Sequence, residues 1–427
     1  MIAQIMPVAA ILLSAFLMLM GLGIGVVIIP LRAVAEGWSS TTLAWIGTSY
    51  AVAFTAGSVF IPRLVRRVGH VRVFGVIQAM LCASFLLHLL FVNPVSWAAF
   101  RMLAGVVTAG SYMIMESWIN ERVSNENRGA VLSAYMIVSM AGVAAGQYLA
   151  PLADPASYEM FVVAGLFFCA ALVPIALTTA QSPQPLTEVT IDPKGLFLRS
   201  PAAAVGSFMS GVIFANWVYF GPVFGQASGF STFAVATMLA SAMFGGMIFQ
   251  FPLGKLSDMI DRRLVMALAG LIGAGVSALI VLASPAPQWL VFTGTFVLGS
   301  VLFPVYSLAV AHANDHAAPE EFVKVSGGLL LIYGVGNMIG PQLGGRLMDA
   351  TGPSGLFTAL AVSFAAYGGY AFWRTRRRQA RPAEARPDFQ VLPLPAVQTP
   401  ETYQLDPRSD ETAEEDERGR LREHDFS

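Results

Sequence analysis

Residues 62–72 read PRLVRRVGHVR, and residues 254–263 read GKLSDMIDRR. The two stretches begin 192 residues apart, and each follows a long apolar run. The same offset aligns three further pairs: Pro30 with Pro222, Gly37 with Gly229 and Ser39 with Ser231. A basic stretch at the same place in two copies of one pattern predicts that the chain folds as two similar halves.

A second offset, of 194 residues, continues the repeat farther along the chain. It aligns Gly105 with Gly299, Tyr112 with Tyr306, Asn120 with Asn314, Glu121 with Asp315, Gly142 with Gly336 and Gly146 with Gly340. Chance similarity between apolar stretches is the alternative. Matches of glycine, proline and acidic residues at fixed offsets argue against it.

The composition is that of a membrane protein. Of 427 residues, 56% are hydrophobic and 12% are charged, with a mean hydropathy of +0.64. Soluble domains carry about 25% charged residues. Of the 26 acidic residues, 12 follow Arg374, so the net charge of −1 is a cancellation and indicates no nucleic-acid partner.

Twelve apolar segments have the length of about 20 residues that a bilayer core requires. Their predicted limits are 6–31, 41–62, 71–92, 96–118, 129–150, 158–180, 201–224, 232–254, 263–284, 288–312, 325–347 and 354–374. The predicted fold is an all-α membrane protein with twelve transmembrane helices in two pseudo-symmetric six-helix bundles. The bundles are residues 1–180 and 201–374, joined by a linker at 181–200 and followed by a disordered tail at 375–427.

The loops predict the orientation. The connections on one side, together with the end of the last segment, contain 16 Lys and Arg residues. The opposite connections contain only Arg32 and Arg346. By the positive-inside rule, both termini of this multi-pass protein are expected in the cytoplasm.

Both basic stretches resemble a signature of the major facilitator superfamily, G-x3-D-R-x-G-x-R-R, which lies between helices two and three. The first copy keeps the basic residues and Gly69, but it has Pro62 for the first glycine and Arg66 for the acid. The second copy keeps Gly254, Asp258 and the basic pair 262–263.

Two more patterns agree with this resemblance. Arg101 and Gly105 match an R-x3-G pattern on helix four, and residues 327–345 on helix eleven match the glycine-proline motif of the family. That motif is usually noted on helix five, where it is associated with antiporters; here Gln147 stands in place of its proline. Residues 116–121, ESWINE, are similar to a bacterial subgroup called YcaD-like.

The resemblance implies a monomeric secondary transporter of the bacterial inner membrane, without cofactor or metal. It would move a small organic molecule by alternating access, coupled to protons, with a slight preference for efflux. Parallel repeats are typical of such transporters. The alternatives are a transporter-like receptor and a membrane-embedded enzyme; no catalytic cluster or nucleotide-binding loop indicates the latter.

The predicted substrate and proton pathway begins with charges inside the spans, which are costly and therefore functional candidates. Helical spacing places Arg101, Gly105, Thr108 and Tyr112 on one stripe, with Glu116 close to it. Arg101 would bind an anionic group or bias a proton carrier, and Glu116 would accept protons. The alternatives are that Arg101 reaches the outer surface and that Glu116 is structural.

Uncharged polar residues complete the predicted pathway, with helix packing as the alternative role for each. They are Gln147 on the fifth segment, Asn216, Trp217 and Tyr219 on the seventh, Tyr306 on the tenth, and Tyr333 and Asn337 on the eleventh.

The gating role is predicted from the motifs. Asp258 is expected to dock at Arg128-Gly129 when the inner gate closes, and the alternative is a solvated loop charge. The other gating candidates are Arg66, Arg67, Gly69, Arg72, Gly254, Arg262, Arg263, Gly336, Gly340, Pro341, Gly344 and Gly345.

Overall fold

The computed structural model describes residues 8–123, 128–177, 193–317, 321–377, 387 and 389. Each predicted segment is a helix. The helices are α1 Ala9–Ala35, α2 Ser40–Val68, α3 His70–Leu90, α4 Pro94–Arg122, α5 Arg128–Leu149, α6 Glu159–Ala176, α7 Pro201–Ala227, α8 Thr232–Met259, α9 Arg262–Leu282, α10 Gln288–Asn314, α11 Phe322–Thr351 and α12 Gly355–Thr375. By length and composition, eleven helices of the described residues can cross a membrane.

Several helices extend past the limits that we predicted from the apolar segments. The stretch 62–68, which we interpreted as part of a turn, belongs to α2, and the turn is confined to Gly69 with φ +94°. The α8 helix likewise continues to Met259. Hydropathy marks only the part of a helix that crosses the hydrocarbon core of the bilayer. Backbone hydrogen bonds extend the helix farther, until a residue such as glycine ends it.

Two local features were not predicted. The α10 helix is interrupted at Phe303, between the helical pieces Gln288–Leu302 and Pro304–Asn314, as expected where proline removes a backbone donor. A short linker helix, Pro193–Arg199, precedes α7. The predicted disorder of the tail concerns residues that lie mostly outside the described ones.

The internal repeat recurs in the local conformation of the loops. Gly37 and Gly229, which are repeat partners, have φ of +73° and +80°. Two residues later, Ser39 and Ser231 cap α2 and α8, with serine Oγ atoms that accept backbone N–H bonds at 3.1 and 3.2 Å. Identical turn and cap geometry at the repeat offset confirms that the two halves are copies.

Glycines bring the helices together at matching places in each half. A Cβ atom on Gly105 would lie 2.4 Å from the Tyr50 carbonyl oxygen, and one on Gly299 would lie 1.9 Å from that of Ala242. The same holds for Gly142 against Phe16, and for Gly336 against Phe208. The four contacts form two pairs. The paired glycines lie 194 positions apart, and the residues that they meet lie 192 positions apart. Small residues at such contacts permit close packing of membrane helices.

The first half (α1–α6) and the second half (α7–α12) therefore pack by the same scheme. Within the first half, α1 packs on α5 and α6, and α2 packs on α4. Within the second, α7 packs on α11 and α12, and α8 packs on α10. Between the halves, the most extensive contact joins α2 to α11. This is the predicted fold of two pseudo-symmetric bundles.

We expect Gly336→Ala to lower the melting temperature, because its methyl group would meet the Phe208 carbonyl oxygen at 2.0 Å. Overpacking of this kind costs about 1–3 kcal/mol. Gly275→Ala is the control, since no atom lies within 4 Å of its added Cβ. Thermal unfolding of the purified variants would contradict this account if both melted at the same temperature.

Candidate functional site

A central cavity lies between the two halves. Its empty volume is about 1600 Å³, including the part that is open to solvent. Residues from α1 to α5 form one wall, and residues from α7, α8, α10 and α11 form the facing wall. Most are apolar, such as Phe54, Phe85 and Phe214. A concave, largely apolar site with a few polar groups is the usual form of a small-molecule site.

The cavity wall includes seven of the predicted pathway residues, contributed by four helices. They are Arg101, Tyr112, Gln147, Trp217, Tyr219, Tyr333 and Asn337. The wall also includes Tyr50, Thr55 and Ser58 on α2, which sequence reasoning missed. No motif marks these three, so only the packing of α2 beside α4 reveals them.

Arg101 is buried in this wall rather than extended to the surface. Only 9% of the residue is exposed, and its Cζ atom lies 4.2 Å from the centre of the Tyr50 ring. This is a cation–π contact. The Tyr219 hydroxyl lies beside the guanidinium and also bonds to the carbonyl of Gly47 at 3.2 Å. The Arg101 Nε atom is buried without a hydrogen-bond partner among the described residues.

The described part of the chain offers Arg101 no carboxylate within 4.0 Å. Glu36 pairs with Arg32 at 2.7 Å, and Asp154 accepts a bond from its own loop at 2.8 Å. Asp349 binds two backbone N–H groups, and Glu159 is exposed. Among the described residues, no carboxylate therefore compensates this positive charge in the cavity wall.

Glu116 lies outside the cavity wall. It is fully buried in α4, next to the side chains of Tyr112 and Tyr135. Fifteen residues separate it from Arg101, which is about 22 Å along a helix. Tyr112 faces the cavity and also neighbours Glu116, so it connects the carboxyl group to the cavity.

Three other predicted pathway residues do not line the cavity and are buried among the helices. Thr108 is fully buried within α4. The Asn216 side-chain amide donates to the Val212 carbonyl at 2.8 Å. Tyr306 packs edge-on against the ring of Tyr333, with ring centroids 5.5 Å apart.

A polar clamp joins the two halves at the end of the molecule where α2 begins, which we call the Ser40 end. The Asp349 carboxylate of α11 accepts the backbone N–H bonds of Ser40 and Thr41, at 2.8 and 2.9 Å. Deeper along α2, the Thr48 hydroxyl donates to the Met338 carbonyl at 2.8 Å and accepts from the Gln342 amide at 3.0 Å. These bonds all join the first half to the second.

Glycines of the helix-eleven motif allow this contact. A Cβ on Gly345 would lie 2.7 Å from the Ser40 carbonyl oxygen, so α2 and α11 approach closely there. A Cβ on Gly344 would lie 2.0 Å from Asn216 Oδ1, within the second half. Gly340 packs on Val212, and Pro341 lies inside α11. Of this motif, Gly345 contributes directly to the junction between the halves.

The second basic motif forms a buried network at the opposite end, which we call the Gly69 end. Arg262 is 1% exposed, and its Nε atom binds both oxygens of Asp315 at 3.0 and 3.1 Å. Its Nη1 atom binds Asp258 and Ser257, each at 2.8 Å. Arg263 pairs with Asp261 at 2.7 Å. The motif therefore ties α8, α9 and α10 together.

The first half repeats this arrangement in weaker form. His70 is the repeat partner of Arg262, and Glu121 is the repeat partner of Asp315. His70 is buried near Glu121 and bonds to Ser117 at 3.3 Å. Arg66, Arg67 and Arg72 are exposed.

Asp258 has a partner that the sequence did not predict. Its carboxylate oxygens accept the backbone N–H of Phe389, at 3.0 and 3.1 Å, and the Pro387 carbonyl accepts a bond from Arg262 at 2.6 Å. The Phe389 ring covers Gly254. The predicted contact of Asp258 with Arg128 falls on a side chain outside the described ones. These two tail residues thus dock on the second basic motif.

The fold and motifs agree with comparisons to known proteins. The sequence profile of the Major Facilitator Superfamily matches residues 11–258 and 235–404. The chain belongs to the major facilitator superfamily. This membership makes the protein a membrane transporter with a small-molecule substrate and confirms the resemblance noted from the sequence motifs.

Similar transporters of this superfamily are found among curated proteins. The chain is 25% identical to an uncharacterized MFS-type transporter, YcaD, of Escherichia fergusonii, over 84% of this chain and 93% of that one. Identity is also 25% to YcaD of Salmonella heidelberg, over the same shares of the two chains.

Solved structures share the fold. The nucleoside transporter NupG superposes with a TM-score of 0.74 at 13% identity, over 87% of this chain and 98% of that one. A bacterial homolog of the human lysosomal transporter Spinster gives 0.73 at 13% identity, over 90% and 98%.

Sequence reasoning missed both the clamp and the tail contact of this transporter. Ser39, Ser40 and Thr41 are a recognisable helix start, and free N–H groups at a helix start attract carboxylates. That signal was available in the sequence. The acid that meets them stands 309 positions later, and nothing in one sequence pairs the two.

We expect Asp349→Ala to open the Ser40 end more often, because a capping carboxylate contributes about 0.5–2 kcal/mol. The measurement is the rate at which an impermeant maleimide labels Cys in an Ala44→Cys variant whose Cys82 and Cys169 are replaced by Ala. Labelling should rise several-fold. Glu36→Gln is the control, since Glu36 bonds within its own half; equal labelling in both variants would refute the clamp.

Gly254→Ala is expected to expel the Phe389 ring, because the added Cβ would lie 2.1 Å from a ring carbon. Limited digestion with the glutamate-specific protease Glu-C, followed by mass spectrometry, should then cleave faster after Glu384. Phe389→Ala should accelerate the same cleavage. Unchanged cleavage in both variants would show that the tail does not dock there in solution.

Proposed function

We propose that this transporter moves a small organic molecule by alternating access, coupled to protons, with efflux as the favoured direction. The observation that carries the proposal is a cavity between two copied halves that is clamped at one end by bonds between the halves. Because the clamp consists of a few hydrogen bonds, opening this end and closing the opposite end would cost little free energy.

We propose that residues 1–180 and 201–374 move as the two rigid units, with 181–200 as the linker. Support comes from the packing: glycines lock backbone against backbone inside each half, whereas polar side chains supply much of the contact between halves. Close backbone packing resists deformation. Rocking at the junction is therefore the softest motion available.

The Ser40 end is proposed to face outward from the bacterial inner membrane, with both termini inside. The Lys and Arg residues of the loops favour this orientation. The cavity wall follows α2 from Tyr50 to Ser58, toward the Gly69 end. With the Ser40 end clamped, this conformation would load its substrate from the cytoplasm, which is consistent with efflux.

Glu116 is proposed as the proton carrier. It is a fully buried carboxyl group in the span of α4, where holding a permanent charge would be costly. Tyr112 separates it from the cavity by one helical turn and gives it a hydroxyl neighbour. Proton binding at Glu116 can thereby respond to the occupancy of the cavity.

The protein is proposed to work as a monomer and to catalyse no reaction. The charged side chain in the cavity wall is Arg101. A guanidinium remains protonated and serves neither as a base nor as a nucleophile. Binding and movement, rather than bond chemistry, are what this cavity supports.

Proton coupling predicts that substrate movement changes the pH inside proteoliposomes that are loaded with pyranine. A panel of small organic acids, bases and neutral molecules would be screened with the wild type. Glu116→Gln should abolish the pH change and the response to an imposed pH gradient.

Glu159→Gln is the matched control, since Glu159 is exposed at the start of α6. Retention of gradient-driven uptake in Glu116→Gln would remove Glu116 from the coupling role. Uptake that ignores the gradient in the wild type would refute coupling altogether.

A further inference from the structure

The charge balance of the cavity is incomplete. Arg101 is buried in the wall, and its cationic group lies over the Tyr50 ring. The described acids at the Ser40 end either bind other groups or are exposed to solvent. Removing a charge from water is costly unless an opposite charge or several hydrogen bonds replace the water. An aromatic face supplies only part of that replacement.

We propose that the substrate is an amphiphilic organic anion, with an oxyanion headgroup bound by Arg101 and an apolar body in the cavity. The inference rests on the proposed function, since it names the substrate class of the same site. A bound anion would supply the charge that the protein itself does not.

The geometry at Arg101 favours an oxyanion over other ligands. The Tyr50 ring lies against the Arg101 Cζ atom, and hydrogen-bond acceptors bind a guanidinium along its edge, where the N–H groups point. The Nε atom on that edge is buried and unpartnered among the described residues. Carboxylates, sulfonates and phosphate esters accept two parallel N–H bonds in this arrangement.

The rest of the wall selects an apolar body. Leu22, Val26 and Ile29 line the side of the first half, and Phe214 and Met243 line the facing side. Two further buried polar atoms lack partners among the described residues, Gln147 Oε1 and the Tyr333 hydroxyl oxygen. The apolar lining favours an apolar body, and the positive charge of Arg101 disfavours cations.

The test uses equilibrium binding to the full-length protein in lipid nanodiscs. The probes are radiolabelled 2-naphthoate and naphthalene-2-sulfonate, with neutral 2-naphthamide and cationic 2-naphthylmethylamine as matched bodies. A decanoate and decanamide pair repeats the comparison with an aliphatic body. Each anion is expected to bind about 10- to 100-fold more tightly than its amide, as charge-assisted hydrogen bonds imply.

The variants separate charge recognition from folding. Arg101→Gln should remove the preference for the anion, and measurable binding of the amide to this variant shows that the cavity is intact. Arg101→Lys should keep part of the preference. Arg32→Gln removes a positive charge from α1 that is paired with Glu36, and it should change nothing.

Equal affinity for anion and amide in both probe series, or an undiminished preference in Arg101→Gln, would overturn the inference. These results are distinguishable from failure of the proposed function. Anions that bind through Arg101 but are never moved into proteoliposomes would refute transport and leave the binding site standing. If the gradient moved neutral or cationic compounds only, the anion-binding site would be refuted and transport would stand.

Discussion

Close approach of helix backbones at glycine is the constraint on which the rest of this structure depends. Lipid surrounds the helices with an environment as apolar as their own side chains, so the hydrophobic effect does not drive them together. Contact area must be gained by near approach instead. Gly105 and Gly142 provide it in the first half, and Gly299 and Gly336 provide it at the same offsets in the second. Each half is thereby a stiff unit.

The junction between the halves adds polar bonds to a glycine contact at Gly345. At the Ser40 end, a carboxylate caps the start of a helix in the other half, and Thr48 exchanges hydrogen bonds with α11. Such bonds are individually weak and can be replaced by water. A molecule with stiff halves and a polar, replaceable junction is physically suited to open its central cavity on either side.

The cavity wall combines apolar side chains, which pack well inside a membrane protein, with a charged group that can recognise a ligand. The wall is apolar enough to pack, yet it retains Arg101, whose charge no described residue neutralises. Glu116, the other charged group that stands out within the spans, lies about 22 Å away along the same helix. In the proposed function, this separation leaves Arg101 for the ligand and Glu116 for the proton, with Tyr112 between them.

Hydropathy and the repeat offsets determined much of this protein from the sequence alone. They predicted twelve helices, two copied halves, and Arg101 and Glu116 as the charges that matter, because apolar length, glycine spacing and buried charge are local properties of the chain. Tertiary structure decided the rest. It placed Arg101 in the cavity wall and Glu116 behind it, joined Asp349 to Ser40, and brought Phe389 onto Asp258. Those contacts join residues that can stand hundreds of positions apart, and their partners are selected by how the helices pack, which no local pattern records.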